Sequence, residues 1–438
     1  MPGSPRSPRH HCPSTSAATP ARAAGVLVVV FVLLAAACGK GGGDSVNADK
    51  TVDSQAGLNT DESSVPDSTA AKVETVPGMP PVIDPSNIYS ETATPNPVTK
   101  DAKYLVYVPN EASGTLTVID PATKKVIGTY QTGVVPQHVV PSYDMTKLYV
   151  LNNTSNSLTP IDPLTGQPGK SIPVHDPYNL YYTPDGSEAI IVAEAELRLD
   201  FADPDTFEVR SSIETDCDGI NHIDYSADGR YFIATCEFNG ELIKVDTVAK
   251  KVVGTLKIDI STSGVQNPIK PIAQPQDVRV ANDGKVFYIA DLITNGVYVI
   301  DGESFTQIGF IPAGIGTHGL YPSRDGTKLY IVNRGTSSIP PVGSFKGKAK
   351  GSISVLDFAT RTIEATWDMP GGGSPDMGNL TPDGKELWLG GRYDAEVYVF
   401  DTQAGKLVAR IPAGQNPHGL TVWPQPGRYS FGHTGNVR

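Results

Sequence analysis

The stretch that decides the fold is residues 381–401, which read TPDGKELWLGGRYDAEVYVFD. A Pro-Asp-Gly turn precedes one apolar strand, and a second apolar strand ends on Asp401. The glycine supplies the positive φ angle that such a turn needs. The same order recurs along the chain, and aspartates end the corresponding strands: Asp120, Asp162, Asp203, Asp246, Asp301, Asp357 and Asp401.

The spacings between these aspartates are 42, 41, 43, 55, 56 and 44 residues. A period of about 40–45 residues built from short alternating strands is typical of β-propeller blades with four strands. Each strand type occurs seven times along the chain. We therefore predict an all-β protein in which residues 101–438 form a seven-bladed β-propeller of four-stranded antiparallel blades.

The repeated motifs resemble those of the YVTN-type β-propeller family, which is related in pattern to haem d1 and other seven-bladed propellers of the bacterial envelope. They are a Pro-Asp-Gly turn as at Pro184–Gly186, a strand such as Lys147–Val150, and a strand such as Val297–Asp301. The resemblance covers about residues 103–427. It implies that Leu420–Val422 is the innermost strand of the blade whose other strands begin at Lys103. Pairing the N- and C-terminal strands in this way would close the ring and remove exposed edges.

The N-terminal residues 1–37 contain arginines, no acidic residue and a final apolar run, Ala23–Ala37. As a helix this run would rise about 22 Å, which is short of a bilayer core of about 30 Å. These features predict a secretory signal peptide. The end of the run, before Cys38, resembles the lipobox of bacterial lipoproteins, although Ala35 stands where leucine is commonest. The resemblance implies a lipid on Cys38; an ordinary signal peptide with an incidental cysteine is the alternative.

Residues 38–100 have the composition of a disordered acidic tether. From residue 39 onward they hold nine acidic residues, four lysines and one aromatic residue, Tyr89. Such a segment buries too little apolar surface to offset the loss of chain entropy. Together with the lipobox, it predicts an extracytoplasmic protein of the cell envelope that is lipid-anchored to a membrane.

The overall charge excludes one class of partner. The chain has 47 acidic and 35 basic residues, a formal net charge of -12 at pH 7. A nucleic-acid-binding surface needs net positive charge to replace counterions. We therefore predict no nucleic-acid partner.

Two insertions point to a functional face of the propeller. They account for the longest spacings and lie at Ile260–Pro275 and Gly335–Gly351. The first joins a fourth strand to the next blade and the second joins a second strand to a third, so both emerge on the same face. Long loops on one face of a repeat scaffold often mark its binding side. Tolerated insertion without function is the alternative.

A ring of polar residues is predicted at the mouth of the central channel. Aligning the repeats by their turns places these residues at equivalent positions, where the innermost strands enter the ring: Gln137, Tyr178, Asn221, Gln276, His318, Asp376 and His418. Three roles are open for them: binding a small polar ligand or a protein, holding a metal or haem, or only capping strands and solvating the channel. A bound ligand should contact His318 and His418.

Cys217 and Cys236 are the candidates for a disulfide. Cys217 precedes the first strand of its blade and Cys236 closes the adjacent antiparallel strand, so both lie at the same end. In an oxidising compartment this placement predicts a bond between them. Two buried free thiols are the alternative.

The sequence says less about the activity of the protein than about its fold. The sequence has no evident nucleophile–base constellation, and it lacks the Cys-x-x-Cys-His motif of covalently attached c-type haem. The leading hypothesis is a membrane-tethered binding or interaction module. The alternatives are a lactonase- or lyase-like enzyme and a metal- or haem-d1-like redox propeller with its site at the channel mouth. No metal ligand set or cofactor follows from the sequence, because a fold does not by itself determine chemistry.

Overall fold

The computed structural model describes residues 72–266, 268–340, 345, 347–433 and 435–438. The signal peptide predicted at 1–37, the predicted lipidation of Cys38 and residues 39–71 of the predicted tether lie outside the described residues. None of the helices in the described part of the chain has the length and hydropathy that crossing a bilayer requires.

Across the described residues, antiparallel strands form seven separate sheets, and each sheet is one blade. From the innermost strand outward, blade 1 consists of β29 (Thr421–Trp423), β1 (Leu105–Asn110), β2 (Thr115–Asp120) and β3 (Lys125–Gln131). Blade 2 consists of β4 (Pro136–Pro141), β5 (Leu148–Asn152), β6 (Ser157–Asp162), β7 (Gln167–Pro168) and β8 (Ile172–Pro173). Blade 3 consists of β9 (Pro177–Tyr182), β10 (Ala189–Ala193), β11 (Arg198–Ala202) and β12 (Val209–Glu214).

The remaining blades follow in the same order. Blade 4 consists of β13 (Ile220–Tyr225), β14 (Tyr231–Cys236), β15 (Glu241–Asp246) and β16 (Lys251–Lys257). Blade 5 consists of β17 (Pro275–Val280), β18 (Val286–Asp291), β19 (Gly296–Asp301) and β20 (Thr306–Pro312). Blade 6 consists of β21 (Thr317–Pro322), β22 (Lys328–Asn333), β23 (Ser352–Asp357) and β24 (Thr362–Asp368). Blade 7 consists of β25 (Pro375–Leu380), β26 (Glu386–Gly391), β27 (Glu396–Asp401) and β28 (Lys406–Pro412). Short 3-10 helices lie outside the blades at Ser90–Ala93, Pro97–Thr99 and Ile260–Ser263.

The all-β, seven-bladed prediction is confirmed, with one local difference in blade 2. Its outermost strand is broken into β7 and β8, which both pair with β6. Pro168 and Pro173 have no N–H to donate to a strand ladder, so a continuous strand is disfavoured here.

Burial explains why the inner strands are nearly continuous apolar runs. The first two strands of most blades are buried at every position, as in β14 and β18, because neighbouring blades cover both faces. The outermost strands alternate instead between exposed and half-buried positions, as β16 does. Period-two alternation marks a strand with one solvated face.

The ring is closed by the two ends of the propeller, as predicted. Strand β29 pairs antiparallel with β1, with Leu105 opposite Trp423 and Tyr107 opposite Thr421. The observed closing strand is shifted by one residue from the predicted Leu420–Val422. Its pairing satisfies the edge that β1 would otherwise expose.

Part of the predicted disordered tether packs on the propeller. The Val76 N–H donates to the Asp228 carbonyl at 2.9 Å, and the Ile88 N–H donates to the Asn282 carbonyl at 2.9 Å. Tyr89 is 1% exposed, and its hydroxyl donates to the Val280 carbonyl at 2.6 Å. The predicted disorder is therefore corrected for residues 76–99. The segment is polar on average, but it contains a few apolar residues such as Tyr89. These residues hold the chain against the turns that join the first and second strands of blades 4 and 5.

The C-terminal tail, residues 424–438, enters the central channel. The Tyr182 N–H donates to the Phe431 carbonyl at 2.9 Å, and the His433 N–H donates to the Leu180 carbonyl at 3.0 Å. Gly435 lies beside Asn379 and Tyr321 of blades 7 and 6. The tail thus contacts innermost strands on several sides of the axis, and the channel is filled from the face that residues 76–99 cover.

The predicted cysteine pair is bonded in this structure. Cys217 precedes β13, Cys236 ends β14, and their Cα atoms are 4.9 Å apart. Both side chains are buried. The bond ties the entry of blade 4 to its second strand at the face that carries the two insertions.

Candidate ligand-binding site at the channel mouth

A cavity of about 320 Å³ opens at the channel mouth, on the face with the insertions. Residues of the predicted ring contribute Gln137, Tyr178, Gln276, His318 and His418 to its lining. Residues that directly follow second strands contribute Glu194, Glu237, Arg334 and Arg392. The links between strands add Phe238, Lys270, Gln274 and Ile339.

The structure brings five of the seven predicted ring residues to this cavity and places the other two behind it. Asn221 donates through Nδ2 to Glu237 Oε2 at 3.1 Å, and Asp376 supports Arg334 from behind. All seven side chains are at least nine-tenths buried.

Asp376 is the centre of a charged network under one side of the cavity. Arg334 Nε donates to Asp376 Oδ1 at 2.7 Å, and His318 Nδ1 lies 3.0 Å from the same oxygen. Asp376 Oδ2 lies 3.5 Å from His418 Nε2 and 3.7 Å from Arg392 Nε. Arg392 also donates to Glu111 Oε1 at 2.5 Å. Two carboxyl groups thus hold two guanidinium groups at the edge of the cavity.

The pKa values in this network follow from burial and the guanidinium groups. Burial would raise the pKa of Asp376, but Arg334 and the two neighbouring histidines outweigh it and hold that pKa well below its usual range. Burial, and then the positive charge of Arg334, lowers the pKa of His318. Burial and Arg392 place the pKa of His418 well below its usual range. These directions favour a charged Asp376 and uncharged imidazoles.

The opposite side of the cavity is acidic. Glu237 accepts from Gln274 Nε2 at 2.8 Å through Oε1 and from Asn221 through Oε2. Glu194 is half-buried, and burial together with Glu237 and Asp176 raises its pKa well above the usual range. Lys270 Nζ donates to Gln274 Oε1 at 2.7 Å. Blades 3 and 4 thus present carboxyl groups to a cavity whose other wall, from blades 6 and 7, presents guanidinium groups.

Residues 64–204 match the family described as YNCE-like beta-propeller. This match covers about a third of the chain, and the seven-bladed architecture is consistent with the YVTN-type propellers that the repeats resemble. No curated protein sequence matches it.

Solved propellers resemble this one in fold. A functionally unknown protein from Desulfotomaculum acetoxidans has a TM-score of 0.57 and 14% identity, covering 73% of this chain and 98% of its own. A putative 6-phosphogluconolactonase from Bacteroides uniformis has a TM-score of 0.56 and 17% identity, covering 73% of this chain and 99% of its own. The dihydro-heme d1 dehydrogenase NirN, in complex with DHE, has a TM-score of 0.52 and 14% identity, covering 74% of this chain and 75% of its own. Identities this low show a shared fold and carry no activity across.

The propeller has a second ring of equivalent positions that the sequence reasoning missed. One residue directly follows the second strand of each blade: Glu111, Asn153, Glu194, Glu237, Leu292, Arg334 and Arg392. Five of these seven residues are acidic residues or arginines, whereas the predicted ring contains one acidic residue, Asp376, and no arginine. The repeat alignment contained this signal, because charge at the end of a buried strand has no role in the core.

Two groups of buried side chains have the residue types of metal ligands. One is His318, Asp376 and His418, and the other is His138, His222 and His433. His138 and His222 directly follow the ring positions Gln137 and Asn221, whereas His433 comes from the tail. The sequence placed no histidine of the tail in the channel, because the repeat pattern ends before it.

Proposed function

We propose that this propeller binds a small dipolar ligand in the channel-mouth cavity. The observation that carries the proposal is the separation of charge across the cavity, with Arg334 and Arg392 on one wall and Glu194 and Glu237 on the other. A cavity of about 320 Å³ is at the small end of ligand pockets, which suits a metabolite the size of an amino acid.

The guanidinium wall is suited to an anionic group. Arg334 uses Nε and Nη2 for Asp376 and His318, and Arg392 uses Nη1 for Glu111. Arg334 Nη1 and Arg392 Nη2 have no hydrogen-bond partner among the described residues. Hydrogen bonds from a guanidinium to a carboxylate or phosphate are short and strong. The carboxyl groups behind the arginines hold both side chains in position before a ligand arrives.

The acidic wall is suited to an amine. Burial and the nearby carboxyl groups raise the pKa of Glu194, so this group takes up a proton at a higher pH than an ordinary glutamate does. A ligand cation beside it favours the charged carboxylate. Binding should therefore release a proton and strengthen as the pH rises, while the ligand amine stays charged.

The histidines favour binding over catalysis at this site. His318 Nε2 accepts from Arg334 Nη2 at 2.6 Å, and His318 Nδ1 lies 3.0 Å from Asp376 Oδ1 without a hydrogen bond to it. Arg334 thus occupies the lone pair of Nε2, and burial lowers the pKa of the ring. A general base needs a nitrogen within reach of the substrate proton. A lactonase- or lyase-like reaction consequently has less support here than ligand binding.

The proposal also includes the cellular setting. The basic N-terminal region, the apolar run before Cys38 and the acidic segment after it support an extracytoplasmic propeller that is lipid-anchored to a membrane. The described chain begins near the face opposite the cavity, where Val76 contacts Asp228.

A matched set of probes tests the ligand class. Calorimetric titration of the whole protein should compare α,ω-amino acids of increasing length with the corresponding carboxylic acids and alkylamines. The dipolar probe of the right length should bind more tightly than both single-charge relatives, because only it contacts both walls. Comparable affinity for all three would contradict the proposal.

Variants assign the two walls. Arg334→Gln and Glu194→Gln should each weaken binding of the dipolar probe by about 10–100-fold, the worth of a charged hydrogen bond. Arg230→Gln, which removes an exposed guanidinium on the opposite face, is the matched control. Equal affinities of the three variants would place the ligand elsewhere.

A further inference from the structure

Three imidazoles meet inside the channel, below the cavity. His138 and His222 come from the innermost strands of blades 2 and 4, and His433 comes from the tail. The ring centroids of His138 and His433 are 4.9 Å apart, and those of His222 and His433 are 4.8 Å apart. One ring nitrogen from each histidine lies within 4.8 Å of the others, and all three side chains are at most 1% exposed.

Two of these rings carry buried nitrogens that no described residue satisfies. Neither nitrogen of His138 has a hydrogen-bond partner, and His222 Nε2 also has none. Leaving a buried polar atom unpaired costs about 1–3 kcal/mol, so such groups point to a bound water or ion.

The remaining nitrogen of His222 is oriented as in known metal sites. His222 Nδ1 lies 3.1 Å from Asn221 Oδ1, an acceptor, so Nδ1 carries the proton and Nε2 presents its lone pair. Metal-binding histidines commonly donate their second N–H to an oxygen in this way. Asn221, a member of the predicted ring, is thus a positioning residue for His222.

The other ligand-type group is less suited to a cation. Asp376 is already bound by Arg334 at 2.7 Å and faced by Arg392 at 3.7 Å. A metal ion there would compete with two guanidinium groups. Around the three histidines, Asp277 Oδ1 lies 4.0 Å from His433 Nε2, and Asn179 Nδ2 lies 3.1 Å from His433 Nδ1. The positive charge of Arg279 is offset by two carboxyl groups, Asp277 at 3.7 Å and Asp224 at 3.9 Å.

We propose that His138, His222 and His433 bind a transition-metal ion of the zinc or copper class. Imidazole nitrogen suits these ions, whereas magnesium and calcium prefer oxygen ligands. Three nitrogens at about 2.0–2.1 Å from a tetrahedral ion are about 3.3 Å apart, so the rings would close inward by about 1 Å. A water molecule completes the fourth position.

The site is complete only when the tail occupies the channel. His433 is supplied by residues 424–438, whereas the other two ligands belong to the blades. Metal binding therefore stabilises the docked tail, because an ion that binds only the assembled site favours that state. This inference is independent of the ligand proposed for the channel mouth, which lies in the layer above.

Metal content of the protein tests the inference. Protein purified from its membranes without a histidine tag should be stripped with EDTA and incubated separately with Zn²⁺, Cu²⁺ or Mg²⁺. After desalting, elemental analysis should give about one zinc or copper ion per chain and no magnesium. X-ray absorption of the loaded protein should show three imidazole nitrogens at about 2.0–2.1 Å. No retained zinc or copper would overturn the inference and leave water as the occupant.

Variants separate this site from other histidines. His433→Gln and His222→Gln should each remove the ion and abolish the rise in melting temperature on adding Zn²⁺. His175→Gln is the matched control, since His175 is exposed and pairs with Glu196 on the surface. A His318→Gln, His418→Gln double variant should keep the ion. Loss of metal only in that double variant would assign the ion to the other group, and retention in His433→Gln would overturn the role of the tail.

Discussion

The aspartate at the end of the third strand of each blade, which in blade 3 directly follows that strand, has a local structural role. In every blade its side chain accepts a hydrogen bond from a backbone N–H two or three residues further on, as Asp120 does from Ala122 at 2.9 Å and Asp357 from Thr360 at 2.8 Å. Aspartate side chains stabilise turns in this way. The aspartate that reveals the repeat in the sequence therefore stabilises a turn and gives no information about function.

Because of these turns, we predict that the free energy of unfolding falls at acidic pH. Hydrogen bonds lower the pKa values of Asp120, Asp162 and Asp357 from their usual 3.8. The folded state then binds fewer protons than the unfolded state, so this contribution is present above pH 3.8 and is lost as the pH falls through the folded pKa values. An Asp→Asn triple variant keeps the acceptors but cannot be protonated.

Urea denaturation midpoints measured from pH 6 to pH 3 test this prediction. The midpoint of the triple variant should fall less steeply below pH 4 than that of the wild type. Several buried carboxyls, including Asp277 and Glu111, have raised pKa values and act in the opposite direction, but they are common to both proteins. Parallel curves would show that the turns do not contribute to acid sensitivity.

At the scale of elements, the segment before the first strand is an integral part of the propeller. The Tyr89 ring stacks on Phe358 with centroids 6.3 Å apart, and the Arg438 guanidinium lies 4.7 Å from its centroid. This side chain therefore joins the N-terminal segment to blade 6 and to the end of the tail. A buried aromatic residue at such a junction carries much of the binding of the segment.

Replacing Tyr89 should detach the N-terminal segment. Tyr89→Ala should lower the free energy of unfolding by about 3–5 kcal/mol, as large-to-small changes of buried aromatics do. Limited proteolysis should then cut between residues 76 and 99, where the wild type resists. Ile83→Ala, at a side chain 55% exposed in the same segment, should change neither measurement. Equal proteolysis of the two variants would contradict the anchoring role.

At the scale of the whole molecule, both ends of the described chain close the same face. Residues 76–99 lie across it, and the tail enters the channel from it, while the opposite face keeps the cavity and both insertions. The closure of the ring by β29 fixes the tail next to the channel entrance. The described N-terminal segment and the proposed ligand site therefore lie on opposite faces of the propeller.

The anchor is the prediction that belongs to this scale. Cys38→Ala should give an intact propeller that no longer fractionates with membranes, because the substitution removes the thiol that would carry the lipid. Cell fractionation with detection of the propeller tests this, and Cys12→Ala, within the predicted signal peptide, is the control. If Cys38→Ala stayed with membranes as the wild type does, the lipobox interpretation would be wrong.

Much of the fold of this protein could be predicted from the sequence because the fold is built from repeats with local sequence motifs. These repeats depend only on residues that are close together in the sequence. Examples are the turn at residues 382–384, the strands around it and the regular spacing of the aspartates. The positions of Gln137 and His318 at the channel mouth followed from aligning those repeats. Such features need no knowledge of contacts between distant residues.

The tertiary structure decided what the repeats do not encode. Tyr89 is ordered because blade 6 and Arg438 meet it, although its segment has a composition typical of disorder. Asp376 is charged and buried because Arg334 comes from a neighbouring blade, and His433 reaches His138 only because the tail turns into the channel after the ring has closed. Local sequence determined the blades, whereas contacts between residues far apart in the chain determined the charges, the cavity and the three-histidine cluster.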